Sequence, residues 1–210
     1  MTATRPAGTV LIGRFVRLDP LADADIPLLW QALGTPAVFA GGYGGGPSGL
    51  PAEADYPGWM AAYYGGSNRL NYVARLVGGP DDGRVVGIST LGDLDEATES
   101  AHIGWTAWTP GVWGTAVNPE AKLLMLAHAF DHGFGRVKLQ ADAVNARSRA
   151  AIAKLGAQFE GIVRRERPRP DGSWRDTAVY SILVDEWPAV RAGLEARLAD
   201  AGDDPVRIAP

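Results

Sequence analysis

Residues 106–122 read TAWTPGVWGTAVNPEAK, a passage from a strand into a helix around which the rest of the chain can be ordered. Its first residues continue Ser100–Thr109, SAHIGWTAWT, whose aromatic and β-branched content favours an extended segment. Asn118 is expected to cap the helix, Pro119 suits its first position, and Glu120 complements the positive end of its dipole. Leu123, Leu126, Ala127 and Phe130 then form an apolar stripe, and Gly133 ends it. Between strand and helix lie Gly111, Gly114 and the small Ala116. Glycine lets the backbone approach a ligand closely, and a helix start offers unpaired N–H groups, so the turn suits a phosphate or pyrophosphate. A plain connecting turn is the alternative. No Lys–Ser/Thr pair closes it, and G-x-x-G-x-A is not the dinucleotide spacing, so neither nucleotide fingerprint applies.

Working outward, Val10–Leu18 reads as a first strand, and Asp23 and Asp25 start a helix continued by Leu28, Leu29, Ala32 and Leu33. Residues 41–49, GGYGGGPSG, hold six glycines and are expected to form a mobile loop, either over or beside a site or a flexible insertion without a role. Asn71–Val77 and Arg84–Leu91 flank the hairpin signal GGPDDG. Beyond the central helix come a strand over Val137–Val144 and a helix from Ala146 to Leu155, closed by Gly156. A second hairpin, Ile162–Arg167 with Ala178–Leu183, turns at Asp171–Gly172, and Glu186–Ala199 forms a final amphipathic helix. The order predicts a mixed α/β fold: one domain over residues 1–199 and a disordered polar tail over 200–210.

Composition narrows the classes of function. The 210 residues are 46% hydrophobic and 21% charged, a balance that supports one globular core. Cysteine is absent, which removes disulfides, thiolate metal sites and a cysteine nucleophile, and a reducing cytoplasm is the expected compartment. Twenty basic against 24 acidic residues, a net charge of −4, argue against nucleic-acid or anionic-membrane partners. The five arginines of Arg164–Arg175 straddle a turn, where charge is ordinarily solvated. His128 and His132 are four apart on a helix but lack the third ligand of a zinc site, so no metal is expected. The acidic run Asp93, Asp95, Glu96 and Glu99 reads as solubilising charge. Trp59, Tyr63 and Tyr64 read as exposed aromatics able to cover a partner or an acceptor.

The segment NARSRAAIAKLG, residues 145–156, adds a second feature. Ser148 shares a helix face with Ala151, Ile152 and Leu155, so its hydroxyl either finds an internal partner or faces a cleft. Asn145 by default caps that helix. The glycine turn, this N-x-x-S…K-L-G segment running on to KLGAQFEG, the later Asp171-to-Asp176 D-G-x-x-x-D and Glu186–Trp187 together resemble the GNAT-superfamily N-acetyltransferases. Within them the chain is most similar to the branch containing the ribosomal-protein N-terminal acetyltransferases, over about Val10 to Trp187.

That resemblance implies an acyl-CoA N-acyltransferase fold, with a mostly antiparallel twisted sheet flanked by helices. It implies acetyl-CoA as cosubstrate, its pyrophosphate held by Val112, Trp113, Gly114, Thr115 and Ala116. Gly111 departs from the family pattern, which places Gln or Arg there. Asn145 would contact the pantetheine arm, Arg147 and Arg149 would meet phosphate groups, and Ser148 would lie near the sulfur and protonate the departing thiolate. Relatives place a carboxylate in the preceding strand where this chain has His102, which makes His102 the expected base for an incoming amine. Without cysteine, direct transfer in a ternary complex is expected. The acceptor is a protein N-terminus or a small-molecule amine, and a homodimer is the family's habit. A non-catalytic acyl-CoA sensor is the alternative function.

Overall fold

The computed structural model describes residues 2–209. In chain order the strands are β1 (Leu11–Ile12), β2 (Val16–Pro20), β3 (Arg69–Leu76), β4 (Val85–Asp95), β5 (Ser100–Trp108), β6 (Arg136–Asp142), β7 (Gln158–Pro168) and β8 (Trp174–Leu183). The helices are α1 (Ile26–Leu33), α2 (Pro36–Phe39), α3 (Tyr56–Tyr64), α4 (Val117–Asp131), α5 (Ala146–Ala153) and α6 (Trp187–Asp200). The strands form one sheet in the order β1-β2-β3-β4-β5-β6-β8-β7, and every neighbouring pair is antiparallel except β5 with β6. This is the expected mixed α/β architecture.

Alternation along the strands sends side chains to two cores. In β3, Tyr72, Ala74 and Leu76 join Val117, Met125 and Leu126 of α4 and Trp187, Val190 and Leu194 of α6. Val73, between them, joins Leu29 and Leu33 of α1 and Tyr56, Met60 and Tyr64 of α3 on the opposite face. The sheet is thus covered on both faces.

Four local expectations are corrected. The strand expected over Val10–Leu18 is broken at Gly13–Phe15, because the buried Glu120 carboxylate accepts the N–H groups of Arg14, Phe15 and Val16 (2.9, 2.6 and 2.8 Å). Glu120 stands in the first turn of α4, as expected, and its carboxylate ties the N-terminal turn as well. Asn118 is not the cap of α4: the helix starts at Val117, and Asn118 Oδ1 accepts the Trp108 indole N–H at 2.9 Å. Helix α3 is an addition to the expected elements, although Tyr56, Met60 and Tyr64 recur every fourth residue and are all buried. Tyr64 is accordingly a core residue, and Trp59 and Tyr63 are half-buried.

The C-terminal segment also differs from expectation. Val206 and Ile208 pack against the main core, and Ala209 donates its N–H to the Gly111 carbonyl at 3.0 Å. A side chain on Gly111 would meet Ile208 and the Ala209 carbonyl at 2.6 Å. The Gln or Arg of the family pattern has no room here because this segment occupies its place.

Candidate active site

The site originates in a mismatch between two strands. β5 and β6 pair over three positions only, Ser100–His102 with Arg136–Lys138, and then part. β4 still supports β5, and β8 still supports β6, so each strand keeps its shape while the facing edges open. A cavity of about 390 Å³ fills the wedge, bordered by Ile103–Trp108 on one side and by Leu139 and Gln140 on the other. Backbone groups along two open edges need acceptors and donors, and an extended ligand carrying amides can supply them.

A bulge shapes the β5 wall. Thr90 stands opposite Gly104 and Ile88 opposite Ala107, so Trp105 and Thr106 share the place facing Ser89. Trp105 takes φ 47°, a conformation costly for a bulky side chain. Its neighbours hold it there: the Arg69 guanidinium lies 4.2 Å from its ring, and its carbonyl accepts the Tyr64 hydroxyl at 2.9 Å.

At one end of the cleft lies the glycine turn. Gly114 has φ 80° and no atom within 4 Å of where a Cβ would sit, and among the described residues neither its N–H nor that of Ala116 has a hydrogen-bond acceptor. With the start of α4 beside them, these donors form a seat for an anionic group. Arg147 stacks its guanidinium 3.5 Å from the Trp113 ring, and both residues line the cleft with Val112 and Thr115. Ala116 instead borders an adjoining cavity of about 450 Å³, with Arg197 and Arg207.

At α5, Asn145 is a cap, as its residue type suggests: its Oδ1 accepts the Ser148 N–H at 2.9 Å, and its Nδ2 donates to the Gly41 carbonyl. Both polar groups of Asn145 thus have protein partners, although the residue lines the cleft. Ser148 lines it as well, with Ile152 and Leu155 behind it. Arg149 does not. It turns away to the Tyr180 hydroxyl and the Ala143 carbonyl, both at 3.2 Å, and is not a lining residue.

His102 is also outside the cleft lining. It is 1% exposed beneath Trp105, whose ring centroid is 4.7 Å from its own. Nδ1 meets Asp93 Oδ2 at 3.0 Å, whereas Nε2 is buried without a partner. Burial outweighs the Asp93 contact and pushes the imidazole down to about 4, so it is neutral at pH 7. The acidic run is absorbed locally: Asp93 holds His102, and Asp95 accepts the N–H groups of Ala97 and Thr98.

The opposite wall is aromatic. Tyr43 and Tyr64 join hydroxyls at 2.7 Å, Trp59 and Tyr63 stack at 4.7 Å, and Tyr43 reaches the cleft with Gly41. Desolvation raises both the Tyr43 and the Tyr64 hydroxyl well above the ordinary phenol range. The glycine-rich stretch forms two short 3-10 turns seated against Phe39, Trp59 and Pro170. The hairpin arginines are partly recruited inward, Arg169 pairing with the buried Asp142 at 2.5 Å.

Sequence reasoning misses Lys122. It is 5% exposed on α4, lines the cleft, and donates to Ser89 Oγ at 2.9 Å and Thr106 Oγ1 at 2.7 Å. A signal exists: Met125, Leu126 and Ala129, three, four and seven residues on, are all core. A lysine on that face has to be buried.

Comparison with known proteins agrees with this geometry. The family model of the acetyltransferase (GNAT) domain matches residues 16–158. A T. thermophilus protein classed as an acetyltransferase is 35% identical, with TM-score 0.79 over 94% of this chain and 100% of its own. A GCN5-related N-acetyltransferase from Brucella melitensis is 27% identical, with TM-score 0.83 over 99% and 95%. Mycobacterium smegmatis RimJ, solved with CoA-disulfide, shares the fold at 22% identity and TM-score 0.70 over 90% and 92%. A search of curated proteins gave no significant match. Among the described residues no helix is long and apolar enough to cross a membrane, and no three His, Cys, Asp or Glu side chains gather as a metal site. With the domain model covering most of the chain and the parted strands, bulge and glycine turn in place, this protein belongs to the GNAT acetyltransferase family.

Proposed function

We propose that this protein transfers the acetyl group of acetyl-CoA to a primary amine, by direct attack in a ternary complex. The observation that carries the reading is the cleft itself, which runs from the open N–H group of Gly114 between the edges of β5 and β6 to Tyr43 and Trp105, with the open N–H of Ala116 in the adjoining cavity. Pyrophosphate fits the turn, the amide-bearing pantetheine arm fits the parted edges, and the amine enters past the aromatic wall. Acetyl-CoA supplies an activated thioester when bound. Val112–Ala116 hold its phosphates, with Arg147 over Trp113 beside them. Ser148 gives its proton to the departing thiolate as the carbon–sulfur bond breaks.

His102 is assigned the base role in this reading. Asp93 orients its ring and Nε2 is left without a partner, while burial holds the imidazole well below the pH at which a base is most effective. With its imidazole drawn down to about 4, it accepts the proton only after attack, when the nitrogen proton has become more acidic. Its cover by Trp105 favours the second reading, a protein that binds acyl-CoA as a sensor without turnover. The acceptor of the catalytic reading is a protein N-terminus or a small amine.

Thermal unfolding with and without acetyl-CoA is the test. A ligand at a hundred times its Kd adds about 2.7 kcal/mol to the native state, a clear rise in Tm. No rise at millimolar acetyl-CoA overturns both readings. Binding with thiol release on an amine panel supports the enzyme, and binding without release on any amine supports the sensor.

A further inference from the structure

Lys122 is buried in the wall of the cleft with neutral partners. No carboxylate lies within ion-pair distance of its amino group among the described residues; its contacts are the Ser89 and Thr106 hydroxyls. Burying an ammonium without a counter-charge is costly, and an apolar side chain of similar length would fill the space at no such cost. Desolvation alone draws the amine down to about 7. Fold maintenance does not call for a lysine here.

Its two partners define what it does. Ser89 is the β4 residue opposite the bulge, and Thr106 is one of the two bulged β5 residues. Their hydroxyls also meet at 2.7 Å, and Thr106 Oγ1 in turn donates to the Gly104 carbonyl at 3.2 Å. Lys122 therefore clamps both strands at the point where β5 turns its edge to the cleft. Gly104, Trp105, Thr106 and Lys122 all border that cavity.

We infer that Lys122 is a positioning residue for acyl transfer: through Ser89 and Thr106 it holds the β5 bulge and places an electropositive amino group in the wall against which the thioester carbonyl gains negative charge. This rests on the acetyl-CoA reading above. Charge developing on the carbonyl oxygen as the amine attacks is stabilised by donors already in place. Lys122 needs no contact with the reacting atoms for this. It acts through the two hydroxyls and the bulge backbone.

The test uses [1-13C]acetyl-CoA, so no acceptor is needed for its main readout. Titrated into the full chain, the bound thioester carbonyl should move downfield in the 13C spectrum. Lys122→Met should melt at the same or a higher temperature, because a buried unpaired ammonium is replaced by an apolar chain. It should bind acetyl-CoA within about threefold of the wild type while losing most of the carbonyl shift. Where an acceptor has been found, its turnover should fall about a hundredfold, the effect of removing one preorganised donor. Thr106→Val should lose the shift likewise, and Thr106→Ser, which keeps the hydroxyl, should restore it. Both Lys122→Met and Thr106→Val retaining the full shift would overturn the inference. Lowered Tm with lost binding in Lys122→Met would also overturn it, by making Lys122 structural. Absence of saturable binding in the wild type is a different failure, because it removes the acetyl-CoA reading itself.

Discussion

Helices α4 and α5 both begin beside the cleft at the end of a strand, and their first turns are completed in opposite ways. At α5 the protein satisfies itself: Asn145 caps the turn and ties it to the Gly41 carbonyl. At α4 the expected cap, Asn118, is spent on Trp108, and the N–H groups of Gly114 and Ala116 before the helix are left open. The first two turns of α4 also bury charge, Glu120 toward the N-terminal turn and Lys122 toward the bulge. The first turn of α5 carries its charged residues, Arg147 and Arg149, to the surface or onto rings. A helix start completed by its own side chains is architecture. One left open next to a cavity is a place for a ligand.

Three measurements can break or sharpen this contrast. The largest effect concerns the buried charge of α4. The amine of Lys122 sits near 7 in the folded protein against 10.5 for an ordinary lysine, so the unfolded chain binds the extra proton between those values. Stability should therefore rise with pH from about 7 to 10, with the penalty complete below that range. The gain is on the order of a few kcal/mol relative to Lys122→Met. Denaturant unfolding of both proteins across this range would show it, and parallel curves would mean that Lys122 is solvated. The second effect is on the open turn. Gly114→Val places a β-branched residue at φ 80° and should weaken acetyl-CoA binding by about a hundredfold, measured calorimetrically, with α5 unaffected. Wild-type affinity in this variant would show that the turn is only a connection. The smallest effect is at the closed turn. Asn145→Ala should lower stability by about 1 kcal/mol through loss of the cap, with a loosened 41–49 loop visible as faster amide exchange around Gly41. A large loss of acetyl-CoA affinity without loss of stability would instead make Asn145 a ligand contact.

Much of the layout is readable from residue order. The strand–turn–helix at 106–122 can be located because glycine, proline and an apolar stripe at helical spacing are local signals, and the turn at Asp171–Gly172 joins β7 and β8 as expected. The spacing of Ser148 to Ile152 and Leu155 puts it on the inward face of α5, with an internal partner or a cleft as the alternatives, and the structure has it in the cleft lining. Other residues are misjudged because their roles come from partners far along the chain. Glu120 serves residues more than a hundred positions away, and the segment around Ala209 fills the space above Gly111. His102 stands at the expected point of β5, yet its burial beneath Trp105 follows from a bulge that no local pattern announces.

The sequence by itself determined the order of most elements, the glycine turn, the inward face of α5 and the family resemblance, since these depend on neighbours within a few residues. Tertiary structure alone decided where β5 and β6 part, which N–H groups stay open, and how Lys122 and His102 are desolvated. Those properties arise when segments distant in sequence exclude water from the same small volume, and desolvation is a property of the volume rather than of any one residue.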